Sequence, residues 1–110
     1  MAQLPAVFIS HGMPSMALAP GPTGRFLASL PAHMARPRAI LCISAHLEGT
    51  RALLTTDSRP ETLHDFGGFG TALHAIRYPA PGHPKLAERI VALLRGSGIP
   101  AAPLPDRGFD

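Results

Sequence analysis

Two histidines follow similar apolar runs in the first half of the chain. The run AVFIS at residues 6–10 precedes His11, and the run AILCIS at residues 39–44 precedes His46 by one residue. Short runs rich in large or β-branched apolar side chains, bounded by Gly or Pro, are typical of buried strands. Parallel sheets bind ligands beyond the carboxyl ends of their strands, so both imidazoles are expected at one sheet edge.

A shared metal ion is the chemistry that such a pair could perform. Neighbouring strands lie about 4.8 Å apart, and a metal to nitrogen bond is about 2.1 Å long. Two imidazoles that lean inward could therefore bind one ion. Catalytic zinc and non-haem iron sites need a third protein ligand, for which the candidates are His64 and Asp65, then Glu48. The alternative is that each histidine is an ordinary hydrogen-bonded residue, which is the interpretation we prefer for His33, His74 and His83.

The composition favours a compact globular domain and argues against nucleic-acid and membrane partners. The 110 residues are 45% hydrophobic and 15% charged, which favours one compact domain. The net charge is +3, but the arginines are scattered and Trp is absent, so nucleic acid is not an expected partner. No apolar run approaches the roughly 20 residues of a membrane span, and a cytoplasmic protein is expected. The single cysteine, Cys42, lies within an apolar run and is expected to be a buried thiol.

The remaining segments predict alternating strands and helices. We expect a helix that Pro31 limits, a strand at residues 51–56, a short helix ending near Ala75, a helix from Pro84 to Gly96 or Gly98, and a strand starting at residues 99–102. The strand at 51–56 could form a hairpin with the 39–44 run or extend the sheet. This order predicts an α/β fold with a mostly parallel or mixed sheet and flanking helices.

The glycine-rich segment TLHDFGGFG at residues 62–70 is expected to be a loop. It lacks the spacing of a dinucleotide-binding fingerprint. It is either a plain turn-rich connection or a pocket wall in which Phe66 and Phe69 offer apolar surface to an aromatic ligand. If the second alternative holds, His64, Asp65 and Phe66 belong to the substrate pocket.

Five motifs in one order resemble the class III extradiol ring-cleavage dioxygenases, and within them the DOPA-dioxygenase type. They are HGMPSMAL from His11, PRAILCISAHLEG ending at Gly49, TLHDFGGF from Thr62, YPAPGHPKLAERIVALL from Tyr78, and the final GFD. Together they span almost the whole chain. Met13, Leu47 and Gly70 depart from residues common in that family, which affects the expected pocket shape more than the metal pair.

The resemblance implies a mononuclear metal, usually Fe(II) and in some members Zn(II), with a small aromatic diol and dioxygen as substrates. By motif match, His11 and His46 take the positions of the first two metal ligands. An acid/base histidine directly follows the GFD motif in the family, so no catalytic acid/base residue is expected within this chain. We therefore expect residues 1–110 to be the N-terminal part of a single catalytic domain that is incomplete at its C-terminus.

Two other hypotheses stay open at this stage. Small tetrapyrrole metal chelatases also have a strand that ends in His-Gly, although they lack the SAH and YPAPG context; histidine phosphatases are disfavoured because Ser10 stands where they need arginine. The chain could also be a truncated, non-catalytic product. An incomplete sheet would expose apolar edges, so self-association is expected.

Overall fold

The computed structural model describes residues 3–10, 12–68 and 70–110. His11, the first predicted metal ligand, and Phe69 lie outside the described residues. The chain divides into two compact units, one formed by residues 1–40 and 66–75 and the other by residues 41–65 and 76–110. The helices and strands are α1 (Gly21–Ser29), β1 (Ala52–Thr55), α2 (Thr71–His74), α3 (Pro84–Gly96) and β2 (Ala101–Leu104).

The first unit is helical in its regular structure. It contains α1, α2 and two short 3₁₀ helices, Pro14–Ala17 and Leu30–His33. The predicted helix before Pro31 is confirmed as α1, and the 3₁₀ turn that contains Pro31 follows it directly. Leu73 of α2 is buried, and α2 contacts the Pro14–Ala17 helix. The predicted short helix before Ala75 is thereby confirmed.

The second unit contains a two-stranded parallel sheet with α3 packed on it. Ala52 pairs with Ala101, and the register continues to Thr55 and Leu104. Helix α3 contacts both strands, as a crossover helix between parallel strands should. Its buried residues Ala87 and Val91 lie with the buried Ala101 and Ala102 of β2 in the small core of this unit. The α/β class predicted from the sequence is confirmed, and β1 pairs with β2 rather than in a hairpin.

Helix α3 begins and ends as its sequence predicts. Pro84 stands in the first turn, where a missing N–H costs nothing, and His83 Nδ1 accepts a hydrogen bond from the Leu86 N–H at 3.2 Å. At the other end Gly98 has a φ of 79°, and the Ile99 N–H donates to the Leu94 carbonyl at 2.9 Å. A glycine in the left-handed region with this backbone bond is the usual Schellman termination of a helix.

Three expectations about the apolar runs are wrong. Residues 6–10 and 39–44 are described, yet neither run forms a strand, and Cys42 is exposed rather than buried. An apolar run becomes a strand only when a neighbouring strand satisfies its backbone N–H and C=O groups. Within the described residues β1 and β2 pair only with each other in the sheet, so neither run has a partner strand.

Within the described ranges 3–10, 12–68 and 70–110, no helix is both long and apolar enough to cross a membrane.

Candidate metal centre

The loops that leave β1 and β2 run side by side beyond the strands. Thr62 and Phe109 form an isolated parallel bridge, in which the Phe109 N–H donates to the Glu61 carbonyl at 2.7 Å and the Leu63 N–H donates to the Phe109 carbonyl. The approach is so close that a Cβ at Gly108 would overlap the Glu61 carbonyl. The bridge therefore restricts the positions of the residues that follow Thr62 and Phe109 in the chain.

Three potential metal-binding side chains meet beside this bridge. Nδ1 of His46 lies 2.8 Å from Oδ2 of Asp65 and 3.8 Å from Oδ2 of Asp110. One ligand atom from each of the three residues lies within 4.8 Å of the others. One imidazole and two carboxylates form a donor set of the kind that Fe(II), Zn(II) and other divalent metals accept.

The Asp110 carboxylate is held mainly by groups other than His46. Its Oδ2 accepts a hydrogen bond from the Ser44 hydroxyl at 3.0 Å, and Nη2 of Arg107 lies 3.6 Å away. The same Ser44 oxygen accepts the backbone N–H of His46 at 3.1 Å. Ser44 therefore joins the His46 backbone to the Asp110 side chain.

The sequence predicted part of this cluster. His46 and Asp65 were candidate ligands and lie together, whereas Glu48 and His64 are not members of the cluster. Asp110 was missed as a possible ligand, although it belongs to the GFD motif that carried part of the family resemblance. Its proximity depends on the Thr62–Phe109 bridge, a non-local contact that no local sequence pattern announces.

His64 points to a different part of the same unit. Its Nε2 lies 2.8 Å from the Ile76 carbonyl, which also accepts from Nη1 of Arg77 at 3.0 Å. A carbonyl oxygen has no hydrogen to donate, so the 2.8 Å contact favours Nε2 of His64 as the donor over the longer 3.5 Å contact of that nitrogen with Nη1 of Arg77. This nitrogen ties the loop to residue 76 and does not present a lone pair to a metal.

The predicted pocket residues are divided between the two units. Asp65 is the last residue of its segment in the second unit, and Phe66 is the first of its segment in the other unit, where its ring centroid lies 5.3 Å from that of His74. The assignment of His64, Asp65 and Phe66 to a substrate pocket stays a prediction. Near the Thr62 bridge the second unit also has an open cleft of about 500 Å³, lined by Pro60, Glu61, Thr62, Arg77, Tyr78 and Pro79.

Comparison with known proteins gives the family. The family described as the catalytic LigB subunit of aromatic ring-opening dioxygenase matches residues 5–110. The chain belongs to the LigB family. The resemblance inferred from the five motifs is therefore confirmed.

Curated relatives of this LigB-family chain carry related names. It is 41% identical over 103 residues to the 4,5-DOPA dioxygenase extradiol of Escherichia coli (strain K12), a match that covers 94% of this chain and 35% of that protein. It is 44% identical over 95 residues to the Beta vulgaris protein of the same name, covering 84% of this chain and 35% of the relative. The dioxygenase tasH of Hapsidospora irregularis is 33% identical over 76 residues, covering 68% and 24%. The chain spans about a third of the length of the first two relatives.

We predict that Gly108→Ala disrupts the Thr62–Phe109 bridge, which places Asp110 close to His46. The added Cβ must push the Glu61 carbonyl away, which should cost about 1–3 kcal/mol. Hydrogen exchange at the Phe109 and Leu63 amides should accelerate at least about tenfold. Gly96→Ala is the matched control, because a Cβ there meets nothing within 4 Å; equal exchange rates in the two variants would contradict the prediction.

Proposed function

We propose that this chain contributes the metal-binding part of an extradiol dioxygenase that opens the ring of a catechol-type, DOPA-like substrate. The observation that supports the proposal best is the match of residues 5–110 to the LigB family together with the imidazole and carboxylates gathered at His46. The names of the relatives from Escherichia coli and Beta vulgaris supply the substrate class.

In this proposal His46 binds the metal with one ring nitrogen, and His11 is its partner ligand. The pairing with His11 rests on the sequence motifs and the family. When bound, Fe(II) supplies the redox chemistry that dioxygen requires, which Zn(II) lacks. Iron is therefore the proposed metal for turnover, although Zn(II) suits the same donors.

Arg107 and Ser44 would hold Asp110 and His46 in place before a metal binds. Arg107 and the Ser44 hydroxyl lie on the Asp110 carboxylate, so its negative charge is partly compensated before any cation binds. Ser44 also holds the His46 backbone N–H, which limits how far the imidazole can move. The chain spans about a third of the length of the first two relatives, and this coverage supports our proposal that residues 1–110 are the N-terminal part of a single catalytic domain.

We predict that His46→Ala and His11→Ala each remove most of the Fe(II) bound by the chain. Loss of a direct ligand should lower the affinity for the metal by more than the roughly 10–100-fold that follows from losing a residue that only supports a ligand. The measurement is anaerobic Fe(II) binding followed by metal analysis. His33→Ala is the control, since His33 lies in the short 3₁₀ helix Leu30–His33; unchanged iron content in both ligand variants would refute the assignment.

We predict that the complete catalytic domain to which this chain belongs, when supplied with Fe(II), a catechol and ¹⁸O₂, forms a ring-opened product that takes up both atoms of one dioxygen molecule. Mass spectrometry of the product tests this directly. Replacement of Fe(II) by Zn(II) should abolish product formation, because zinc does not change oxidation state. A product with no ¹⁸O label would indicate a different reaction class, and chelatase activity with a tetrapyrrole would favour the alternative hypothesis.

We also propose that the chain associates with a second copy of itself through its exposed apolar runs. Phe8 is 95% exposed and Ile43 is 91% exposed, and exposed apolar clusters favour association. Ile43→Thr should lower the average mass found by light scattering, whereas Ile99→Thr, at a residue that is 46% exposed, should not. A monomer whose mass does not change with concentration would contradict this proposal.

The cytoplasmic location expected from the sequence stays a prediction.

A further inference from the structure

Two carboxylates approach the same nitrogen of His46, but only one is within hydrogen-bond reach. Oδ2 of Asp65 lies 2.8 Å from Nδ1, whereas Oδ2 of Asp110 lies 3.8 Å away, beyond the usual limit for such a bond. Asp110 has closer contacts with the Ser44 hydroxyl and Arg107. Asp65 is therefore the acceptor for Nδ1.

The chemistry of this contact determines the tautomer of the ring. An ionised carboxylate can only accept, so Nδ1 must carry the hydrogen. In neutral imidazole the lone pair then lies on Nε2. A histidine that binds metal through one nitrogen commonly donates the other N–H to a carboxylate, which fixes the ring and raises its basicity.

We propose that Asp65 is the positioning residue of His46: it fixes the tautomer and ring orientation so that Nε2, and not Nδ1, is the nitrogen presented to a metal. The proposal rests on the proposed function in one respect, which is that the partner of Nε2 is a metal. It differs from the idea that His46, Asp65 and Asp110 chelate an ion together, because in our arrangement the Nδ1–H remains with Asp65.

The surroundings of His46 explain why a positioning residue is needed. Its side chain is 46% exposed and follows a run that forms no strand, so burial and sheet pairing do not hold the ring. Asp65, in contrast, lies three residues after Thr62, whose segment is paired with Phe109. The hydrogen bond therefore connects an exposed imidazole to backbone that the second unit fixes.

The test is the tautomer of His46 in the metal-free chain, measured by long-range ¹H–¹⁵N NMR at a pH where imidazole is neutral. We expect the Nδ1–H form to dominate in the unmodified chain. In Asp65→Ala its ratio to the Nε2–H form should fall about fivefold, the effect of losing one exposed hydrogen bond to a charged group. Asp106→Asn, which removes an exposed carboxylate elsewhere in the unit, should leave the ratio unchanged.

Two further variants keep the result decisive. If Asp65→Ala does not fold, Asp65→Asn replaces it: the amide can accept from or donate to Nδ1, so the tautomer preference should largely disappear. Asp110→Asn should preserve the preference. Dominance of the Nε2–H form in the unmodified chain, an unchanged ratio in the Asp65 variant that folds, or a loss in Asp110→Asn would each overturn the proposal. Because no metal is present, failure here is distinct from failure of Fe(II) binding or ring opening.

Discussion

The parallel pairing of β1 with β2, continued by the Thr62–Phe109 bridge, is the constraint on which the candidate metal centre depends. Both strands run in the same direction, so the loops that follow them leave the sheet at the same edge. The bridge then keeps these loops together for several more residues. Asp65 and Asp110, which are 45 positions apart in the printed sequence, reach His46 for this reason.

The electrostatics of the cluster depend on how its two carboxylates are shared. Two like charges near one imidazole would repel each other if neither had a partner of its own. Asp110 has Arg107 and the Ser44 hydroxyl, while Asp65 has the His46 ring. Each carboxylate therefore has a nearby donor of its own. The two chemically identical groups differ in their partners, since only Asp65 accepts the Nδ1–H of His46.

Sequence patterns predicted α3, whose cause is local, and the positions of β1 and β2, but they did not show which apolar runs have a partner strand. The proline start, apolar stripe and glycine end of α3 are encoded within about fifteen residues, and the helix lies at Pro84–Gly96 as expected. The runs before the two histidines have equally strong apolar patterns. Strand formation also requires a neighbour, which the pattern does not supply, and Ile43 and Cys42 are exposed instead.

The same distinction applies within the metal centre. His46 was predicted from its place after an apolar run that was expected to be a strand, and again by motif match, and Asp65 because it lies in a glycine-rich loop. The role of Asp110 depends on Gly108, where the absence of a side chain allows the close approach to Glu61. A glycine in a short C-terminal motif indicates a turn as readily as a backbone contact, so this part of the site required the folded structure.

The contact between His46 and Asp65 is better understood as a device for orientation than for stability. Their side chains are 46% and 36% exposed, and exposed pairs of this kind contribute only about 0–1 kcal/mol to folding. Even so, a free energy near the upper end of that range changes the ratio of the two tautomers of neutral imidazole about fivefold. A weak surface hydrogen bond can therefore decide which nitrogen is available for chemistry while leaving the stability of the second unit to the packing of α3 on its two strands.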